Sequence, residues 1–292
     1  MTECKYSNVC PIMKNSIKTE NTIYVIGDLH ADYKKTIELF RHFKLIDRNK
    51  KWIGKDSIVV QLGDQIDGYG RGNYEDANGE IQILDFFDNL HIQAQIYGGA
   101  VYSLLGNHEL MNVMGNFSYA SKKDIEKSGG KKQRELQFKP GGCMATRLSC
   151  TRNTLLKIND IIFVHAGIIP EIVKDNKKNT VKFVNLLMKN FLNGTKSMDE
   201  KVNKFLIDSK GVLWDRSLGK SKPNCELLEK TLKEIGANHI VIGHTPQNVI
   251  NSNCDEKVWR VDVGLSKSLG DNNFQILEIK RTKNKNKFTV LN

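Results

Sequence analysis

The sequence lacks the segments that place a protein in a membrane or in the secretory route. None of the apolar runs in its 292 residues reaches the roughly 18 residues that a transmembrane helix needs. The N-terminus has no apolar stretch followed by a small-residue cleavage site, so no signal peptide is predicted. These absences predict an intracellular, cytoplasmic protein without a membrane partner.

Cysteine motifs are missing as well. The 6 cysteines are scattered, and none of them lies in Cys-x-x-Cys spacing. A chain of this length buries enough apolar surface to fold without cross-links, so the pattern indicates free thiols in a reducing compartment. A bridge between Cys143 and Cys150 is the alternative that the spacing leaves open.

The charge is strongly unbalanced. There are 44 Lys and Arg against 33 Asp and Glu, a formal net charge of +11. Such a surplus attracts phosphorylated or otherwise acidic partners at long range. The basic residues are spread along the chain, with one dense segment at 280–288 and no aromatic interleaving, so nucleic acid is not expected as a partner.

Hydrophobic patterning predicts an α/β (α+β) fold with two sheets. In the first half, TIYVIGDLH, SIVVQLGDQID and AVYSLLGNHE predict strands, and helical periodicity at 33–43 and 80–90 follows the first two of them, which indicates a parallel sheet. In the second half strands cluster, beginning with two strands about a turn at Asn159 and Asp160. Because these strands are not separated by helices, two packed sheets are expected. Further helices are predicted at 144–149, 181–192, 199–207 and 225–235.

We expect a single domain over residues 22–292, preceded by an irregular lead-in at 1–21. The Lys- and Gly-rich stretch 112–139 has no hydrophobic periodicity long enough for a core element. It is therefore predicted to be an inserted segment over one face, either a lid or a solvated excursion.

Five apolar runs each end in residues that bind metal ions. The residues are Asp28 and His30 after the first run, then Asp64, Asn107, His165 and His244. The carboxyl ends of strands are where ligands bind in open α/β sheets. Residues two apart in an extended segment lie on one side, so one metal ion can take both Asp28 and His30. A carboxylate such as Asp64 can bridge two cations.

This donor set predicts a chemistry. Nitrogen and oxygen ligands without thiolate favour Mn, Fe or Zn over Mg or Ca alone. Two divalent ions outweigh the two ligating carboxylates, and the surplus charge attracts phosphate. Two cations about 3.5–4 Å apart activate a shared water and clamp both oxygens of an in-line displacement. We therefore predict a phosphoesterase in which a metal-bridging hydroxide attacks phosphorus.

The motifs GDLH, GDQID, GNHE, VHAG and GHT resemble those of the phosphoprotein phosphatase family of calcineurin-like metallophosphoesterases, in family order. The stretches LWDR and VWRVDVGLS are similar to the Shewanella-like phosphatase branch. The resemblance implies a central two-sheet β-sandwich flanked by helices, a dinuclear metal centre and the hydrolysis of phosphomonoesters.

The resemblance also implies roles for individual residues. The first metal would be held by Asp28, His30 and Asp64, and the second by Asp64, Asn107, His165 and His244. His108 matches the proton donor to the leaving group, and Asp67 matches the carboxylate that orients this histidine. A neighbouring carboxylate raises the pKa of an imidazole, as an acid working near neutral pH requires.

The phosphate-binding arginine departs from the family pattern. The family has Arg-Gly directly after the residue that Asp67 matches, whereas here Arg71 follows three positions later in a Gly-rich loop. Arg71 either curls back to the site or points to solvent. Arg216, in the branch motif LWDR, is a second candidate for bidentate phosphate contacts. Glu109 and Asp262 are expected to orient ligands without touching metal.

The expected function is a protein phosphatase acting on phosphoserine, phosphothreonine or phosphotyrosine. A hydrolase of dinucleoside polyphosphates or other small phosphoesters is the alternative. A catalytically silent phosphate-binding scaffold would lack a ligand or the acid, and none is missing. The expected partner is a phosphorylated protein or a small phosphoester, and the sequence specifies no regulatory subunit.

Overall fold

Two mixed β-sheets face each other at the centre of the molecule. The computed structural model describes residues 13–168, 170–270, 274–282 and 285–292. The strands are β1 (Ser16–Ile17), β2 (Ile23–Ile26), β3 (Ile58–Gln61), β4 (Ala100–Leu104), β5 (Arg152–Asn153), β6 (Leu155–Ile158), β7 (Ile161–Val164), β8 (His239–Ile242), β9 (Asn251–Asn253), β10 (Val258–Arg260), β11 (Ile276–Thr282) and β12 (Lys285–Leu291). One sheet has the order β12-β11-β2-β3-β4-β5, and the other β1-β6-β7-β8-β10-β9.

Helices cover the outer faces of both sheets. They are α1 (Tyr33–His42), α2 (Glu80–Ile96), α3 (Asn107–Val113), α4 (Lys122–Lys127), α5 (Lys131–Phe138), α6 (Cys143–Thr151), α7 (Pro170–Asn176), α8 (Thr180–Leu192), α9 (Glu200–Val202) and α10 (Cys225–Ile235). A 3-10 turn at Lys177–Asn179 precedes α8, and a π-helical turn at Asn203–Ile207 follows α9. The predicted two-sheet fold flanked by helices is confirmed, as are the helices predicted from periodicity.

The central strands are apolar on both faces because both faces are covered. In β3, Val60 packs between the two sheets against residues such as Phe163. Its neighbour Val59 faces the other way, toward Phe40 of α1 and Phe87 of α2. Strands buried on both sides read as continuous apolar runs, as those of parallel sheets do.

Parallel pairing brings the motif-bearing loops to one edge. β2, β3 and β4 run parallel in the first sheet, and β7, β8 and β10 run parallel in the second. β6 and β7 form an antiparallel hairpin about the predicted turn at Asn159. The loops that follow β2, β3, β4, β7 and β8 therefore converge where the two sheets end.

The lead-in is not irregular throughout. Ser16 and Ile17 form β1, which pairs in parallel with β6, and Ile17 packs against the core between the sheets. The prediction of an irregular segment up to residue 21 is therefore wrong for this strand, while residues 1–12 lie outside the described part. A strand of two residues is too short to show a periodicity in the sequence, and β1 is held in place by its pairing with β6 and by the packing of Ile17.

The segment 112–139 is packed into the protein and is not a solvated excursion. It contains the end of α3 together with α4 and α5. Arg134 and Phe138 of α5 are 0% and 1% exposed. Only the alternative of a solvated excursion is wrong. The pattern missed the packing because the buried position nearest the centre of α5 is an arginine, which breaks the apolar period that marks a core helix.

The prediction of free thiols is wrong. Cys225, at the start of α10, forms a disulfide with Cys254 in the turn between β9 and β10. No cysteine within the described ranges is a free thiol, Cys143 and Cys150 included. The sequence gives no sign of this pairing, because the two positions are 29 residues apart and meet only in the fold.

The basic segment at 280–288 contributes to two paired strands, β11 and β12. Its alternation of exposed and half-buried residues was not recognised as a strand in the sequence. Among the described helices, none is long and apolar enough to cross a membrane.

Gly63→Ala should lower the melting temperature more than Gly98→Ala does. Gly63 has a φ of +103°, and a Cβ there would lie 2.5 Å from the backbone nitrogen of Gly106. Gly98 has a φ of +77°, but no described atom within 4 Å of its Cβ position, so its variant carries only the backbone strain of about 1–3 kcal/mol. Thermal denaturation followed by circular dichroism measures both, and equal shifts would contradict the expected clash.

Candidate metal centre and active site

The six predicted metal ligands come together at the convergent edge of the two sheets. Each follows a strand, and each is at most 5% exposed: Asp28, His30, Asp64, Asn107, His165 and His244. Three of them have left-handed backbones, with φ of 39° for His30, 52° for Asp64 and 63° for His244. Such conformations cost energy in residues other than glycine and are concentrated at functional sites.

Asp64 lies at the centre of the cluster. Its Oδ2 is 3.3 Å from Nε2 of His165 and 3.9 Å from Nε2 of His30. Asn107 Oδ1 lies 2.9 Å from the same nitrogen of His165. Two groups have ligand atoms within 4.8 Å of one another: His30, Asp64 and His108, and Asp64, His165 and His244. Because Asp64 belongs to both, its position suits a carboxylate that bridges two cations.

The imidazoles of the three predicted histidine ligands are each fixed by a backbone carbonyl. The contacts are His30 Nδ1 to Asp67 O at 3.3 Å, His165 Nδ1 to Leu62 O at 2.8 Å and His244 Nε2 to Trp214 O at 3.2 Å. A carbonyl oxygen only accepts, so the contacting nitrogen carries the hydrogen. In the neutral ring the other nitrogen then keeps a lone pair, as in metal-binding histidines whose ring is oriented by a second contact.

His108 differs from these three histidines in its partner. Its Nδ1 donates to Oδ2 of Asp67 at 2.8 Å, so it faces a carboxylate and not a carbonyl. Burial lowers the pKa of His108, but the carboxylates of Asp64 and Asp67 outweigh it and the net shift is upward. A histidine in this setting is suited to hold and deliver a proton.

The carboxylates of the cluster need cations. Burial and the nearby Asp262 raise the pKa of Asp28 well above its usual range. Burial also raises the pKa of Asp262 to about 6, and its Oδ2 is buried without a hydrogen-bond partner among the described residues. Asp64, although buried, is kept ionised by His165 and His108, which hold its pKa well below the usual range. Three crowded carboxylates and an unpartnered oxygen fit a site built for divalent ions.

Glu109 connects the loops after β3 and β4. Its carboxylate accepts four backbone N–H groups, those of Asp64, Gln65, Ile66 and Gly106, at 2.7–3.3 Å. The buried carboxylate thereby fixes the backbone that carries Asp64. The orienting role of Glu109 stays a prediction, and these contacts are compatible with it. Asp262 is likewise beside Asp28, and its Oδ1 accepts the N–H of Gly264 at 2.9 Å.

Arg71 curls back toward the site. Its Nη2 is 3.1 Å from Nε2 of His108, and its guanidinium lies 4.9 Å from the ring centre of Tyr119. Arg216 is exposed, and its Nη1 donates to the carbonyl of His244 at 2.8 Å. Both arginines line an open cleft of about 1070 Å³. The other lining residues include Asn107, His108, Tyr119, Trp214 and His244.

Several residues around Asp67 were missed in the sequence. Asn112 donates to Oδ1 of Asp67, Glu80 accepts from its backbone N–H, and Arg134 contacts both Asn112 and Glu80. Asn112 is four positions after His108 on a helix, a spacing that places both side chains on one face. No comparable signal marks Arg134.

Comparison with known proteins agrees with this geometry. Residues 22–248 match the model of the calcineurin-like phosphoesterase family, and the chain belongs to that family. It is 28% identical to Shewanella-like protein phosphatase 2 of Arabidopsis thaliana, over 92% of this chain and 78% of the relative. It is 31% identical to Shewanella-like protein phosphatase 1 of Plasmodium berghei (strain Anka), over 86% and 69%.

A solved structure shares the fold across nearly the whole chain. The cold-active protein-tyrosine phosphatase of a psychrophile Shewanella sp. superposes with a TM-score of 0.79 at 23% identity, covering 96% of this chain and 83% of that one. The predicted family and branch resemblance is confirmed. The protein is a metal-dependent phosphoric ester hydrolase.

Asp64→Asn should lose bound metal. An amide is uncharged and offers one oxygen, so it cannot bridge two cations as a carboxylate does. Metal analysis of purified protein should fall from about two equivalents of Mn²⁺ to one or fewer. Turnover of p-nitrophenyl phosphate should fall at least about 100-fold, since bound metal supplies several kcal/mol.

Asp85→Asn is the matched control for Asp64→Asn. The Asp85 side chain is 56% exposed and pairs with Arg147. Its variant should retain the full metal content. Two full equivalents bound to Asp64→Asn would contradict the bridging assignment.

Proposed function

We propose that this phosphoesterase is a protein phosphatase that hydrolyses phosphoserine, phosphothreonine or phosphotyrosine, with His108 as general acid. One observation carries the proposal: His108 shares a single open cleft with the ligands Asn107 and His244 and with Arg71 and Arg216. The groups that would protonate a leaving oxygen and those that would bind phosphate therefore face the same space.

The six ligands are proposed to hold two divalent ions. The ions would be Mn, Fe or Zn, because the donors are nitrogen and oxygen without thiolate. When bound, they supply Lewis acidity and a hydroxide nucleophile at neutral pH. The chain itself supplies the orientation of the phosphate and the proton for the leaving group.

His108 would supply that proton. As the bond from phosphorus to the leaving oxygen breaks, that oxygen would take the proton from Nε2 of His108. Asp67 holds the opposite ring nitrogen at 2.8 Å, so it keeps the imidazole aimed and stabilises its charged form. His108 regains a proton from water after the alcohol or phenol leaves.

Arg71 would exchange its contact with His108 for one with phosphate. A guanidinium only donates, so in this 3.1 Å contact Nε2 of His108 has to accept from Arg71 and is not available to carry a proton. A bound phosphate draws Arg71 away and frees Nε2 to carry the acid proton. Arg216, across the cleft, would bind the same phosphate through its fork of N–H donors.

The cleft favours a protein substrate. Besides the two arginines, Lys210 and Lys220 line it, against the single carboxylate of Asp215. An open, basic cleft admits an acidic peptide segment around the phosphorylated residue. Both relatives described above are named protein phosphatases.

An intracellular, cytoplasmic location stays a prediction. The disulfide between Cys225 and Cys254 argues against the reducing compartment on which that prediction rested.

Phosphopeptides should be better substrates than diadenosine tetraphosphate. With Mn²⁺ added, we expect kcat/KM for at least one of three peptides, carrying phosphoserine, phosphothreonine or phosphotyrosine, to exceed that for the dinucleotide by about tenfold or more, equal to 1.4 kcal/mol. Release of inorganic phosphate from the peptides, and chromatography for the dinucleotide, measure both. The reverse preference would favour the small-phosphoester alternative.

His108→Asn should lower kcat for phenyl phosphate by about 10²–10⁴-fold, the usual contribution of general acid catalysis. Bound metal should be unchanged, since the neighbouring ligand Asn107 is kept. His42→Asn, at an exposed histidine beside Phe43, serves as the control and should leave kcat unaltered. An unchanged kcat in His108→Asn would remove the acid role.

A further inference from the structure

The pair formed by His108 and Asp67 is itself held by a second layer of buried side chains. Asp67 Oδ1 accepts from Asn112 Nδ2 at 2.8 Å, and the Asp67 backbone N–H donates to Glu80 Oε1 at 3.0 Å. Asn112 and Glu80 are 0% and 2% exposed. Asn112 thus holds the carboxylate of Asp67 and Glu80 holds its backbone, while the second carboxylate oxygen, Oδ2, contacts His108.

Arg134 of α5 joins the two groups that grip Asp67. Its Nε donates to Asn112 Oδ1 at 2.9 Å, and its Nη1 and Nη2 donate to the two oxygens of Glu80 at 2.8 and 3.1 Å. The guanidinium is fully buried and lies 4.7 Å from the ring centre of Phe138. A planar fork of donors matches this geometry, and an ammonium does not.

The contact with Arg134 anchors the oxygen end of the Asn112 amide. Because a guanidinium has donors only, Asn112 must turn its oxygen toward Arg134. Its NH₂ group then faces Asp67. Without Arg134 the oxygen of Asn112 loses this donor, while its NH₂ group keeps two acceptors, Asp67 Oδ1 and the carbonyl of His108 at 3.0 Å. The Asn112 side chain, and with it the Asp67 carboxylate, is then less firmly fixed beside His108.

We propose that Arg134 is a positioning residue for the general acid. It acts on Asp67 through Asn112 and Glu80 and through its own ion pair with Asp67 Oδ1 at 3.8 Å, and Asp67 in turn acts on His108. The inference rests on the proposed role of His108. It also assigns a task to the segment 112–139, whose helix α5 supplies an arginine that the five ligand motifs do not contain.

Stability alone is a weak reason for a buried arginine in this place. Taking a guanidinium and a carboxylate out of water costs energy that their attraction often fails to recover, and apolar replacements of such pairs are frequently neutral or stabilising. An apolar residue at position 134 would not make the hydrogen bonds to Asn112 and Glu80 that fix Asp67.

Leaving-group dependence separates positioning of the acid from general stability. Phenol is a poor leaving group and needs the proton, whereas p-nitrophenol leaves with little help. Arg134→Lys keeps a buried positive charge but loses the planar guanidinium that contacts Asn112 and Glu80 together. Asn112→Leu has a similar side-chain volume and cuts the link to Asp67, while Arg134 and Glu80 remain. Arg147→Lys is the matched control, since Arg147 is also buried and is paired, with Asp85 and Asp88 of α2.

We expect Arg134→Lys and Asn112→Leu to lower kcat for phenyl phosphate about tenfold more than kcat for p-nitrophenyl phosphate, part of the 10²–10⁴-fold that a general acid contributes. KM and metal content should stay near those of the unaltered protein. Arg147→Lys should lower the melting temperature without changing the ratio of the two kcat values.

Three outcomes would overturn the inference. A ratio equal to that of Arg147→Lys in both variants would show that Arg134 has no effect on the acid. Loss of the fold in both variants would make Arg134 a residue of stability alone. If His108→Asn, measured alongside, showed no larger loss on phenyl phosphate, the role of His108 would fail first and the inference with it.

Discussion

The arrangement of the loops at the convergent edge of the two sheets depends on the position of one residue, Asp64. Its carbonyl oxygen accepts the backbone N–H groups of Leu29 and His30 at 3.0 and 2.9 Å, and its own N–H donates to Glu109 at 3.0 Å. Its carboxylate accepts the N–H of His108 at 2.9 Å. The loops after β2, β3 and β4 are therefore tied through one residue, and the strained backbone of Asp64 is held by several bonds at once.

This arrangement brings the carboxylates of Asp28 and Asp64 close to the imidazole of His165. Burial lowers the pKa of His165, but Asp64 and Asp28 outweigh burial and raise it to about 10. The raised pKa favours the protonated imidazole, whereas ligation of a metal ion requires the neutral ring. If His165 is a ligand as proposed, protons compete with metal binding, which weakens as pH falls.

The sequence predicts the features that neighbouring residues determine, and it misses those that depend on contacts between distant segments. Asp28, Asp64 and His165 follow apolar runs directly, so the strand pattern alone places their side chains at the edge of a sheet. The two-sheet architecture was readable for the same reason. Arg134 and Cys225 owe their partners to contacts between segments far apart in the chain, and no local period marks such contacts. The missed features are therefore tertiary, and one of them, Arg134, lies behind the His108–Asp67 pair.

The position of Arg71 shows how a site tolerates a change in its motif. The loop after Asp67 is longer than the family pattern, but it closes on itself, since the N–H of Gly70 donates to Asp76 and that of Ala77 donates to the carbonyl of Gly68. A Cβ on residue 70 would lie 2.1 Å from the carbonyl oxygen of Tyr74, so only glycine fits the closure. The guanidinium consequently reaches His108 from a different position in the sequence. The longer loop thus places Arg71 in the cleft, at the position from which it is proposed to bind phosphate.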